Sequence, residues 1–139
     1  MKAVVLDASV FIAAVGPGDR FHEDSRRLML ALATERHAVF VPAFAIVEVA
    51  CALSRRLRDA VMARKLTLQV MSAVRVKELP VDAAFLAQAT LSGTRDFLRG
   101  ADALYAAAAE MESATLISWD DEHRKRAGAQ TPTEWLSAQ

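Results

Sequence analysis

Four short runs of aliphatic and β-branched residues alternate along the chain with longer segments of helical periodicity. Residues 3–6 (AVVL) are unbroken apolar, the pattern of a strand buried on both faces. Residues 38–41 repeat that pattern until Pro42 stops it, and residues 114–119 form a further strand. Residues 76–81 make a weaker strand, interrupted by Lys77, Glu78 and Pro80. After VVLD the chain turns away at Ala8-Ser9, and Gly16-Pro17-Gly18 breaks it again. Asp24 or Ser25 then caps a helix running to about Thr34. A long helical stretch covers residues 43–65, breaks near Lys65 and resumes to Val74. Asp82 caps a helix over residues 83–91, a polar loop spans 92–100, and an alanine-rich helix covers 101–112. A short basic helix over 121–127 follows, and residues 131–136 read as one added edge strand. Strands alternating with helices predict a parallel sheet covered on both sides, whose ligands bind beyond the carboxyl ends of the strands.

Composition narrows this picture. With 139 residues the chain is expected to form one domain over 1–139, and 53% hydrophobic residues exclude intrinsic disorder. The single cysteine, Cys51, excludes a disulfide framework and a cysteine-rich zinc site, fits a reducing compartment, and reads as a core residue. Seventeen basic and seventeen acidic residues cancel, so nucleic acid held by bulk positive charge is not indicated. The start, MKAVVLDASVFIAAV, superficially resembles a signal peptide, but Asp7 interrupts the apolar run. The expectation is a soluble cytoplasmic protein with no membrane association.

The acids carry the candidate chemistry. Asp7 ends the first strand, where turn or cap duty competes with a functional role. Glu48 lies in PAFAIVEVACAL, opposite a helical stripe of Ile46, Val49, Ala50, Leu53 and Leu57. An ionised carboxylate in such surroundings needs a compensating cation: an ion pair with Arg55 or Arg99, or a metal, unless the side chain is simply exposed. Asp102 opens its helix, a place the helix dipole also favours. Asp120 closes the last strand and shares a face with Leu116 and Ser118, while Asp121 points away and reads as the cap of the next helix. In a doubly covered parallel sheet these four places converge on one rim. Four clustered carboxylates repel unless divalent cations neutralise them, and all-oxygen ligation selects Mg²⁺ or Mn²⁺ over zinc. The implied chemistry is metal-dependent phosphodiester hydrolysis.

The four segments VVLDASVFIAA, PAFAIVEVACAL, LRGADALYAAAAEME and ATLISWDDEHRKRAG together resemble the PIN-domain ribonucleases, above all the short VapC-like toxins of toxin–antitoxin pairs. The resemblance covers essentially the whole chain. It implies a PIN-like three-layer α/β/α sandwich with a central, mainly parallel sheet. It also implies an RNA-cleaving metal site of Asp7, Glu48, Asp102 and Asp120, with Asp121 as the alternative fourth acid. Ser9 would support the first acid and Ser118 fits the Ser-x-Asp pattern of the fourth. By the same resemblance the protein is a homodimer, silenced by a small antitoxin.

Arg95 and Arg99, beside the third acid, are the better candidates for RNA contact. The clusters Arg55, Arg56, Arg58, Arg64, Lys65 and Arg124, Lys125, Arg126 read as solvated helix faces. His22, His37 and His123 show no paired ligand spacing; His123, three residues after Asp120, is within range of a role near the site but reads more readily as a surface residue. Two alternatives stand beside the nuclease. One is a catalytically idle PIN-like module binding RNA or protein, which would be expected to have lost one of the acids. The other is a phosphatase with Asp7 as nucleophile, although Ser9 stands where a second Asp is wanted.

Overall fold

A computed structural model describes all 139 residues. Four parallel strands form the sheet: β1 (Ala3–Leu6), β2 (Ala38–Pro42), β3 (Lys77–Leu79) and β4 (Thr115–Ile117), in the order β3-β2-β1-β4. The register pairs Ala3 with Ala38 and Leu6 with Ile117. The chain leaves β1 toward β2 and β3 on one side and returns to β4 on the other. The switch point therefore lies at the carboxyl ends of β1 and β4, where such sheets leave a crevice.

Eight helices complete the fold: α1 (Ala8–Val15), α2 (His22–Thr34), α3 (Phe44–Leu57), α4 (Ala60–Ala73), α5 (Ala83–Arg95), α6 (Gly100–Met111), α7 (Asp121–Ala127) and α8 (Pro132–Ser137). The four-stranded parallel sheet between helices is the expected α/β/α arrangement. Helix α6 packs directly on β1, β2 and β4, backed by α5, while α1, α3 and α4 pack on one another. Its sequence explains the position. Ala103, Tyr105 and Ala106 to Ala109 are all buried, and a helix apolar all round belongs inside. Small side chains bring it close to its neighbours: a Cβ on Gly93 of α5 would meet the Ala103 Cβ at 2.7 Å.

Both edges of the sheet are blunted. The outer strand β3 has three residues with Lys77 and Glu78 exposed, and it ends before Pro80. Beyond β4, Gln130 donates to Leu116 O and accepts from Ser118 N, both at 2.9 Å.

The elements differ from the expected ones in five places. The turn at Ala8-Ser9 is the start of α1, which Asp7 caps by accepting from Ser9 N. Helix α2 starts at His22, not at Asp24 or Ser25, and Ser25 is buried instead of capping. The break in the long helical stretch falls at Arg58, in the left-handed conformation with φ 55°, and Asp59 caps α4. Helix α5 runs on to Arg95, consuming half of the expected polar loop. The tail is no edge strand: Thr131 and Glu134 form a capping box with Pro132 at the first position, and α8 buries Trp135. Cys51, expected in the core, is exposed.

The capping box makes a simple prediction. Thr131→Ala leaves the first turn of α8 short of an acceptor, at a cost of about 1 kcal/mol. Thermal unfolding is expected about 3–5 °C lower, with no effect at the distant acids.

Candidate active site

Asp7 stands at the switch point. Its backbone N–H donates to Ile117 O at 3.0 Å, continuing the ladder, so the side chain emerges where β1 and β4 part. It is 7% exposed. Oδ2 accepts from Ser9 Oγ at 2.6 Å and from Ser118 Oγ at 3.0 Å. Both serines named from the sequence thus orient the first acid, and Ser9 Oγ in turn accepts from Trp119 N at 3.2 Å. Asp7 Oδ1 takes no hydrogen bond within the protein.

Glu48, half-buried in α3, has no basic partner, neither Arg55 nor Arg99. Tyr105 of α6 donates to its Oε1 at 2.5 Å. Burial raises the carboxyl above its usual pKa, Tyr105 opposes this, and the charges of Asp7 and Asp102 raise it further. Burial, the Glu48 contact and the Asp7 charge all push the Tyr105 phenol upward, so it remains a donor. Tyr105 is not among the partners expected for Glu48 from the sequence. The available signal was a tyrosine within a buried alanine-rich helix, which needs a hydroxyl partner.

Asp102, in the first turn of α6, places Oδ2 3.0 Å from Arg99 Nε and Oδ1 3.3 Å from His123 Nε2. Asp120 accepts from Glu122 N through Oδ1 at 2.8 Å, so it, not Asp121, caps α7. Asp121 is the first residue of α7, and its salt bridge is to Arg124. Asp120 Oδ2 lies 3.2 Å from Arg99 Nη2, and its backbone N–H donates to Ser118 Oγ at 3.0 Å.

These contacts join the four acids into one network. Ser118 links Asp7 to Asp120, Arg99 links Asp120 to Asp102, and Glu48 feels the charges of Asp7 and Asp102. Arg99 neutralises part of the two outer acids, leaving the inner pair, Asp7 and Glu48, with the unbalanced charge. Arg95 does not join them; its guanidinium pairs with Asp96 at 2.7 Å and Glu110 at 2.5 Å. His123 is the largest departure from the sequence reading. Its side chain is fully buried, with Nδ1 3.1 Å from Ser118 Oγ, below the network instead of on the surface.

The donors suit a hard divalent cation: every acidic side chain in the network offers oxygen, and Asp7 Oδ1 and Glu48 Oε2 are uncommitted. As placed, no three His, Cys, Asp or Glu side chains close around a single ion. The inner pair fits a cation by charge and by the chemistry of its oxygen donors.

The unbalanced charge predicts a measurable trade-off. Glu48→Gln keeps an acceptor for Tyr105 and removes a charge that burial and two carboxylates oppose. A carboxyl with a raised folded pKa costs stability in full above that pKa and nothing below its unfolded value. Without metal, Glu48→Gln is therefore expected to melt a few degrees higher at neutral pH and to lose that advantage as acid protonates Glu48 in the unaltered protein.

Comparison with known proteins agrees with this architecture. No curated protein is a significant sequence match. PAE2754 from Pyrobaculum aerophilum superposes with a TM-score of 0.71 at 23% identity, covering 99% of this chain and 98% of its own. VapC20 of Mycobacterium tuberculosis gives 0.69 at 20% identity over 84% and 89%. FitAcB from Neisseria gonorrhoeae gives 0.67 at 20% identity over 95% and 98%. The sequence itself matches the PIN domain family over residues 4–129, from the first residues of β1 to the segment beyond α7, and so includes all four acids. This chain belongs to the PIN domain family.

Proposed function

We propose that the protein is a metal-dependent endoribonuclease that hydrolyses RNA phosphodiester bonds with Mg²⁺ or Mn²⁺, and that it is the toxin of a toxin–antitoxin pair. The observation that carries this reading is the gathering of Asp7, Glu48, Asp102 and Asp120 at the β1–β4 switch point, with no arginine or lysine paired to the inner two. Asp7, Glu48 and Asp102 would hold the cation, with Asp120 as the outermost acid. When bound, the cation supplies charge neutralisation at the phosphate and activation of the attacking water.

The chain's own residues supply orientation. Ser9 and Ser118 fix the Asp7 carboxylate through one oxygen. Tyr105 fixes Glu48 and stays protonated while doing so. Arg99, 70% exposed at its side chain, is within reach of two acids and free to turn toward a substrate phosphate. Arg95 is spent on Asp96 and Glu110 and takes no part.

VapC20 is described as a toxin that cleaves the sarcin–ricin loop, and sharing its fold supports RNA as the substrate class. A groove between α5 and α6, lined by Leu86, Phe97, Leu98 and Leu104, gives a protein partner an apolar surface, with Phe97 79% exposed. That supports the antitoxin and homodimer parts of the reading. No helix is long and apolar enough to cross a membrane, and a cytoplasmic site of action belongs to the same proposal.

The test is incubation of the purified protein with mixed RNA in Mg²⁺, Mn²⁺ or EDTA, beside Asp7→Asn and Glu48→Gln. Cleavage that needs metal and disappears in both variants supports the assignment. Cleavage surviving EDTA and both substitutions defeats it. Growth arrest on expression without a neighbouring antitoxin gene tests the toxin part separately.

A further inference from the structure

His123 lies where a hydrocarbon side chain would fill the space more cheaply. It is fully buried beneath the acids, with Tyr105 edge-on at 6.0 Å between ring centroids. Ser118 Oγ has one proton, which goes to Asp7 Oδ2, and it already accepts from Asp120 N. His123 Nδ1 lies 3.1 Å from the same hydroxyl, so the ring is tied to Asp7 through Ser118. On the other side of the ring, Nε2 is the sole buried side-chain nitrogen or oxygen without a hydrogen bond. Its neighbour is Asp102 Oδ1 at 3.3 Å, close but off the line of a hydrogen bond. A fully buried polar atom left in that state is costly.

We propose that His123 is a positioning residue for the metal centre, setting the separation of the first and third acids. It acts on Asp7 through Ser118 and on Asp102 through Oδ1. Asp7 Oδ1, which no protein group hydrogen-bonds, is thereby held for the cation, while Asp102 Oδ2 lies against the exposed Arg99. Residues behind the ligands of this kind govern metal affinity as much as ligand geometry does. The inference rests on the proposed function, because it assumes that Asp7 and Asp102 bind metal.

Mn²⁺ titration of the full chain, followed by the electron paramagnetic resonance of the free ion, tests it without any RNA substrate. His123→Phe keeps the ring volume and loses both nitrogens. Its Mn²⁺ affinity is expected to fall about 10–100-fold. Gln at this position extends an amide toward Asp102, whereas Asn reaches only Ser118, so His123→Gln is expected to bind several-fold tighter than His123→Asn. Melting temperatures taken alongside show which variants are folded. If the phenylalanine variant does not fold, the order of the two amides decides: Gln above Asn supports the role, and equal affinities overturn it. A folded His123→Phe binding Mn²⁺ as tightly as the unaltered protein also overturns it, leaving the nuclease reading intact. No Mn²⁺ binding by the unaltered protein removes both.

Discussion

Asp7→Asn is expected to reduce RNA cleavage about 10³-fold, roughly 4 kcal/mol in the barrier, while leaving the fold in place. The substitution is nearly isosteric. The asparagine Oδ1 can still accept from Ser9 and Ser118, which hold Asp7 at 2.6 and 3.0 Å, so the end of β1 and the start of α1 keep their geometry. What disappears is one negative charge and one oxygen donor, the one that no protein group engages. An amide there offers a divalent cation hydrogens instead of a lone pair. The same loss relieves Glu48, whose carboxyl Asp7 repels. The variant is therefore expected to melt no lower than the unaltered protein. Single-turnover cleavage and a thermal melt on one preparation check both halves. Activity within threefold of the unaltered protein would remove Asp7 from the machinery.

Gly93→Val is expected to destabilise the fold by about 2 kcal/mol, lowering the melting temperature by about 6–10 °C. The first added carbon would stand 2.7 Å from the Ala103 Cβ, which no rotamer can relieve because neither atom can swing away. Helices α5 and α6 must part by about 1 Å, and the small gain in helix propensity over glycine only partly offsets this. The effect is not confined to stability. Asp102 directly precedes Ala103, so parting the helices moves the third acid, and cleavage is expected to fall about 10-fold even where the protein is fully folded. The reciprocal pair Gly93→Ala with Ala103→Gly restores the gap. A coupling energy near 1 kcal/mol in the double-mutant cycle is expected, and strict additivity would show that the two positions do not meet.

The strands β1 and β2 were legible because both read as unbroken apolar runs, β1 buried on both faces and β2 buried on one and partly covered on the other. Helix α1 was not. ASVFIAAV has no polar face, and Val10 and Ile12 are β-branched, so nothing in its pattern separates a buried helix from a turn leading to a strand. The break at Arg58 contains neither glycine nor proline, and the chain turns there by a left-handed arginine. The tail's helical signal is Thr131-Pro132-Thr133-Glu134, which carries both a capping box and a first-turn proline. Asp7, Asp102 and Asp120 were readable because their places depend on element ends, and Glu48 because it is an acid amid apolar residues inside α3. His123 was not, because HRKR reads as a solvated run. Only its spacing, one turn before Ala127, which packs against the core, marks the inner face of α7. Arg95 and Arg99 are four residues apart and looked equivalent, yet the turn through Phe97 sends one to Glu110 and the other to the acids.

The short outer strand with its lysine and glutamate, and the Gln130 segment lying along the opposite border, have a bearing on assembly. One margin offers only three residues of main chain flanked by charge, and the other is already occupied by the Gln130 segment, so neither is a long template for a foreign chain to copy. Recognition of this molecule by another protein therefore falls to side chains on the helical faces, where a single substitution can change a partner's identity without disturbing the sheet beneath.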